Sequence, residues 1–208
     1  MNSPELHETL RPGVATVCRA LELRPETRLL AIAGIPGSGK STLSEALRLR
    51  LPGSVVIPMD GYHLPRRQLD DEGLRRRGAP FTFDPAAFHT DLVRLKETRA
   101  GVFPAFDHAE QDPRADAIRI GPDVSLVIVE GLYVLLKTWQ TAPLFDFRIF
   151  VDCDVETALR RVAARHLACG LCATDEEAWV RVDGSDRLNA QTILADGCRE
   201  RADLVIHG

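Results

Sequence analysis

The stretch "RLLAIAGIPGSGKSTLSEALRLRL", residues 28–51, decides the fold. It opens with a short apolar run ending in glycine, which reads as a buried strand. It closes with a helix from Ser41 that stops at Pro52-Gly53. Between the two, "GIPGSGKS", Gly34 to Ser41, fits the spacing G-x-x-x-x-G-K-[ST] without mismatch. Glycines at 34, 37 and 39 let the backbone curl and turn its amide hydrogens toward phosphate oxygens. The following helix adds the positive end of its dipole to the same spot. Lys40 is placed to reach the β- and γ-phosphates, and the Ser41 hydroxyl to ligate Mg²⁺. The expected nucleotide site, for ATP with Mg²⁺, is therefore Gly34, Gly37, Ser38, Gly39, Lys40, Ser41 and Thr42.

Further strands follow the same pattern of short β-branched runs covered on both faces. They begin near residues 28, 54, 124, 147 and 203 and alternate with helices, which implies a doubly wound parallel sheet of five strands. Helices are expected over 3–23 with Ser3 as N-cap, from Pro85 to Thr98 with Asp84 as N-cap, over 154–168, and over 175–196 behind the "TDEE" capping box at Thr174. Residues 61–84 read as a loop with a short helix, and 102–120 as a small hairpin. One domain spans 1–208, with an acceptor-site insertion over about 61–115 and a lid over about 160–190.

In an open α/β sheet, ligands bind beyond the carboxyl ends of the strands. Asp60, Glu130 and Asp152 all fall at such ends, and "LVIVEG" places an acid after an apolar run as a Walker B strand does. Asp60 and Glu130 are the candidates for catalysis and, with Ser41, for metal binding; Asp152 or Asp154 reads as a helix cap. "DGYHLPRR" then supplies an aromatic, a histidine and two arginines directly after Asp60, more chemistry than positioning a water requires. No N-K-x-D guanine-reading motif occurs. Phosphoryl transfer to a small acceptor fits better than hydrolysis, with Lys40, Asp60 and Glu130 as the catalytic set.

These pieces resemble the P-loop kinases that include uridine kinase, phosphoribulokinase and bacterial-type pantothenate kinase. The resemblance rests on "GIPGSGKST", "MDGYHL", "RRRGAPFTFDPAAF", "PAFDH", "VIVEGLYVL" and "IFVDCDVETALRRVAARH", spread over residues 28–170. With "RHLACGLCATDEEAWVRVDGSDRLNAQTI" added, the chain looks most similar to the subgroup of fructose-transport-system kinases. The resemblance implies that Asp60 is the base toward an acceptor hydroxyl and that Glu130 organises metal and acceptor. It also implies that Arg161 and Arg165 fold over the nucleotide phosphates. Acceptor contacts fall to Tyr62, His63, Arg66, Phe106, Asp107, His108 and Arg114. "PAFDHAEQDPR" departs from the nucleoside kinases after the Phe106-Asp107 pair, and the subgroup resemblance implies a sugar or sugar-like polyol as acceptor, with pantothenate or a nucleoside as alternatives. A nucleotide-dependent switch without an acceptor is the contrasting class.

Bulk properties agree with a globular enzyme. The 208 residues are 45% hydrophobic and 27% charged, in the ordinary globular range. A net charge of -4 disfavours nucleic-acid and polybasic membrane roles. No apolar stretch reaches membrane-spanning length, and no secretory leader is visible at the start. Five scattered cysteines suggest free thiols in a cytoplasmic, reducing setting. The expected partner is a small hydroxyl substrate, with no nucleic acid and no membrane, and with a homodimer left open. His166, Cys169 and Cys172 have zinc-like spacing but fall short of four ligands, and are read as packing groups of the lid. Arg75, Arg76 and Arg77 could meet an acidic substrate, but a solvated helix face is the preferred reading.

Overall fold

Alternating side chains sort the strand runs onto two faces. In the computed structural model, which describes residues 4–107 and 109–208, five strands form one parallel sheet. They are β1 (Leu29–Gly34), β2 (Ser54–Pro58), β5 (Leu126–Gly131), β6 (Phe147–Asp152) and β7 (Leu204–His207). The hairpin β3 (Gly101–Asp107) and β4 (Asp112–Ile120) stands apart as a two-stranded antiparallel unit. Strand order in the main sheet is β2-β5-β1-β6-β7. Leu30 and Ile32 of β1 join Leu43, Leu47, Ile128, Ile149 and Val151 in one core. Leu29, Ala31 and Ala33 face the other core, with Val129, Phe88, Leu92 and Tyr133. Burying each large apolar side chain contributes about 1.5–3 kcal/mol, so the helices on both faces help hold the sheet between them.

Helices α1 (Pro4–Glu22) and α2 (Lys40–Arg50) cover the first face, α2 beginning one residue before the expected Ser41. The expected cap Ser3 lies outside the described residues. After β2 the chain makes a 3₁₀ turn (Met59–Tyr62) and a short helix α3 (Asp71–Arg75), then α4 (Pro85–Thr98), capped by Asp84 accepting from the Ala87 amide at 2.9 Å. The hairpin backbone presses on that 3₁₀ turn so closely that a Cβ on Gly61 would lie 2.3 Å from the Pro104 carbonyl oxygen. Only glycine fits there.

After β6 come α5 (Val155–Ala168), α6 (Asp175–Arg181) and α7 (Arg187–Ala195), around the span of about 160–190 expected to form a lid. Asp154 caps α5 by accepting from the Thr157 amide, and Thr174 caps α6 by accepting from the Glu177 amide. One unbroken helix over 175–196 is not what forms: a π turn, residues 182–186, joins α6 to α7, closed by the Arg187 amide on the Val182 carbonyl. The π turn holds one residue more than an α turn, and it rotates Ser185 and Asp186 inward. Among the described residues no helix is long and apolar enough to cross a membrane.

Candidate active site

β5 lies between β1 and β2, with Glu130 paired to Ile32 on one side and Pro58 on the other. That insertion puts Glu130 at the sheet edge between the loop after β1 and the turn after β2 that carries Asp60. The loop after β1 is shaped by its glycines. Gly37 (φ 78°) sits so close to α5 that a Cβ would fall 2.1 Å from the Ala158 carbonyl oxygen. Gly39 (φ 101°) is the N-cap of α2, and with no side chain it leaves the helix's first amides free to face an anion. Ser38 Oγ is buried with no hydrogen-bond partner, beside Gly34, where a Cβ would meet that oxygen at 2.4 Å. An orphaned hydroxyl within a curl of amides fits a phosphate chain.

Ser41 Oγ donates to both carboxylate oxygens of Glu130, at 3.1 Å each. Burial pushes the Glu130 carboxyl above the ordinary carboxylate range, against the pull of Lys40 and with a further push from Asp60; the Ser41 hydrogen bond and Arg165 also favour ionisation. A hydroxyl and a carboxylate together are hard oxygen donors of the kind Mg²⁺ takes. Among the described residues no cluster of three or more His, Cys, Asp or Glu side chains is arranged to hold a metal, so Mg²⁺ would share these oxygens with phosphate and water. On the other side of the loop, the Arg161 Nη1 donor lies 3.5 Å from both the Gly37 carbonyl and Cys153 Sγ.

Asp60 opens on a cavity of about 160 Å³, also lined by His63, Arg77, Phe83, Leu132, Arg165 and Gly78, and by Arg181, Ser185, Asp186 and Asn189 from the lid helices. His63 stacks on Phe83 with ring centroids 3.9 Å apart and tilts toward Phe106 at 5.1 Å. Burial holds its imidazole below the usual range, with Asp60 pulling the other way and Arg77 reinforcing burial. Arg77 is not on a solvated face. It folds inward, donating from Nη2 to the Leu64 carbonyl (3.2 Å) and Asp112 Oδ1 (2.8 Å), because the loop after α3 turns back over the hairpin.

Other expected acceptor residues lie outside this cavity. Tyr62 donates its hydroxyl to Asp91 at 2.8 Å and lines a separate groove with Asp84, Pro104 and Asp116. Arg66 has an exposed side chain, and its backbone amide donates to Asp112. Phe106 touches His63 and lies 5.4 Å below the Arg77 guanidinium without lining the cavity. Asp107 caps the hairpin turn, accepting from the Ala109 and Glu110 amides. Arg114 pairs across the hairpin with Ala105 and is exposed, and His108 lies outside the described residues. Sequence reasoning set Arg77 on a solvated face and missed Arg181, Ser185, Asp186 and Asn189. The last four come from an ordinary amphipathic helix pattern, and nothing in local spacing marks the π turn that aims two of them.

Residues 29–168 match the model of the phosphoribulokinase / uridine kinase family. A candidate uridine kinase of Schizosaccharomyces pombe is 40% identical over 190 residues, 82% of this chain and 80% of that protein. An uncharacterised protein of Escherichia coli (strain K12) is 31% identical over 214 residues, 97% of this chain and 87% of that one. Among solved structures, a candidate fructose-transport-system kinase from Silicibacter sp. TM1040 superposes with a TM-score of 0.80 at 35% identity, covering 93% of this chain and 98% of the other.

Proposed function

The chain belongs to the phosphoribulokinase/uridine kinase family and is an ATP-dependent P-loop kinase, and from that premise we propose that it phosphorylates a hydroxyl of a small, sugar-like polyol. One observation carries the reading: Asp60, close enough to raise the Glu130 carboxyl that accepts from Ser41, lines a polar cavity that a hydrolase would not need. The cavity, about 160 Å³, falls below the roughly 300–1,000 Å³ of drug-sized ligand pockets, which suits a compact acceptor better than a nucleoside. The structural neighbour's description as a fructose-transport-system kinase points the same way. A nucleoside acceptor is the second reading, favoured by the S. pombe relative.

In the proposed reaction the acceptor hydroxyl gives its proton to the Asp60 carboxylate as its oxygen bonds to the γ-phosphorus. The bond from that phosphorus to the β–γ bridging oxygen breaks in line, and ADP leaves with the electron pair. Lys40 and the amides of Gly37, Ser38 and Gly39 hold the β- and γ-phosphate oxygens, and Thr42 sits buried behind them. Arg161 is placed by the loop and Arg165 by the acceptor cavity, so the two offer charge from either side of the transferred group. Mg²⁺, held through Ser41 and Glu130 with Asp60 nearby, would neutralise charge on the phosphate oxygens. Glu130 also accepts the Ser41 hydroxyl and so fixes its rotamer. One kinase domain with a lid over about 160–190 and an acceptor-site insertion over about 61–115 completes the proposal.

A coupled ADP-release screen over sugars, nucleosides, pantothenate and related polyols tests it. Acceptor-stimulated turnover is expected, and its absence across the panel would leave a nucleotide switch as the better account. Asp60→Asn should lower the stimulated rate by about 10²–10⁴-fold while leaving ATP affinity unchanged. A variant that kept its rate would remove Asp60 as the base. Lys40→Ala should cost about 10²-fold or more in kcat/KM for ATP, read in the same assay.

A further inference from the structure

Ligands of an open α/β sheet gather at the carboxyl ends of its strands, where the phosphate loop and Asp60 lie. The opposite edge, where the strands begin, holds a second cavity of about 380 Å³, more than twice the 160 Å³ beside Asp60. That volume falls within the roughly 300–1,000 Å³ typical of small-molecule sites. Leu29 at the start of β1, Val127 of β5, Leu95 of α4 and Ile120 of β4 form its apolar floor, and all four are buried. Four elements meet there, so the hollow belongs to the packed fold and not to one loop. Nothing in phosphoryl transfer uses it.

The rim carries charges of both signs. Asp146 is satisfied: its Oδ2 accepts the Arg28 and Leu29 amides at 2.9 Å each, and its Oδ1 lies 3.6 Å from Lys96 Nζ. Lys96 also donates to the Leu144 carbonyl at 2.6 Å. The other four charges differ. Arg28 donates from Nη1 to the Ser125 carbonyl at 3.0 Å, a neutral partner that leaves its charge uncompensated. Arg28, Arg99, Glu26 and Asp123 enter no ion pair among the described residues. Arg99 ends α4 in the left-handed region at φ 57°, so an arginine stands at the mouth where the backbone favours glycine.

Two unpaired cations and two unpaired carboxylates thus surround one apolar hollow without pairing with each other. A ligand of single charge would be drawn by one pair and repelled by the other. A ligand with both charges on an apolar body meets attraction from each. We propose that this cavity is a second small-molecule site, whose ligand is a zwitterion of the class of the aromatic and large aliphatic α-amino acids. Its carboxylate faces Arg28 and Arg99, its ammonium faces Glu26 and Asp123, and its side chain lies on the apolar floor. Binding there uses no part of the phosphate loop and does not depend on which acceptor the kinase takes.

The full chain, with its phosphate loop filled by MgADP, is titrated calorimetrically with three compounds that share one ring: phenylalanine, 3-phenylpropionate and 2-phenylethylamine. Phenylalanine should bind about tenfold tighter than either singly charged compound, the worth of one retained charge contact. Arg99→Gln should weaken phenylalanine and phenylpropionate by about tenfold and leave phenylethylamine unchanged. Asp123→Asn should weaken phenylalanine and phenylethylamine by a similar factor and leave phenylpropionate unchanged. Both side chains are exposed, so a loss of binding at an unchanged melting temperature places the contact at the rim. The proposal fails on the wild-type protein alone if none of the three compounds binds, or if all three bind equally. It fails equally if phenylalanine binds both variants as tightly as it binds the wild type, since the compound would then sit elsewhere.

Discussion

His166 illustrates how one side chain is set by its surroundings. It is only 6% exposed, Nδ1 has no partner, and Nε2 lies 3.8 Å from Asp186 Oδ2. Burial, then the charges of Arg181 and Arg165, hold its imidazole down to about 4. In the unfolded chain it titrates near 6.5. Between those values the unfolded chain binds the extra proton, so stability present above pH 6.5 is lost as pH falls toward 4. Thermal melts at pH 7.5 and 5.0 should show a larger drop for the wild type than for His166→Gln. Parallel losses would mean the ring is not held neutral. The histidine and its neighbouring cysteines had metal-like spacing in sequence, but Cys169 turns out to the surface, and its thiol lies 3.7 Å from the His166 carbonyl.

At the scale of elements, helix starts were the most legible features. Asp84, Asp154 and Thr174 each cap the helix they precede, because a short polar side chain meets an otherwise orphaned amide within its own turn. The π turn was not legible. Buried positions Ala178, Val182, Ser185, Asn189 and Ile193 recur at three- and four-residue steps, so the pattern reads as continuous α-helix. The extra residue is Gly184 or a neighbour, and open space surrounds the place where a Gly184 side chain would be. Deleting Gly184 should restore an α turn, keep α6 and α7 docked, and swing Ser185 and Asp186 away from the cavity. The expected outcome is a melting temperature within roughly 4 °C of wild type, about 1 kcal/mol at this size, with acceptor KM raised at least tenfold. An unchanged KM would show that the turn does not position the cavity wall.

For the whole molecule, two tryptophans report on opposite parts. Trp139 is buried in the main core against Phe83, Phe88 and Tyr133, while Trp179 packs with the lid cluster of Leu159, Val162 and Val182. A shared layer joins these parts, since Asn189 and Tyr133 both donate to the Gly78 carbonyl. One cooperative unit is therefore expected. Urea unfolding followed by fluorescence of Trp139→Phe and of Trp179→Phe should give coincident transitions once each is normalised to its own stability by circular dichroism. A lid transition preceding the core would divide the chain into two units.

The phosphate loop, the five parallel strands and the acids at their ends were readable from sequence because each depends on near neighbours: a glycine spacing, an apolar run, a residue that caps the next turn. The hairpin over 101–120 was within reach for the same reason. Strand order lay beyond local pattern, and it is strand order that slides β5 between β1 and β2 and so brings Glu130 to Ser41 across 89 positions of chain. The cavity beside Asp60 is likewise a product of tertiary structure. Arg77 in a basic run looked solvated until the hairpin supplied Asp112 to hold it inward, and Asn189 lies 111 positions from the Gly78 carbonyl it binds. Sequence determined that this chain carries a phosphate cradle and an acid beside it. Packing decided what faces that acid, since long-range contacts follow the burial of two whole faces of a sheet and leave little trace in the spacing of either partner.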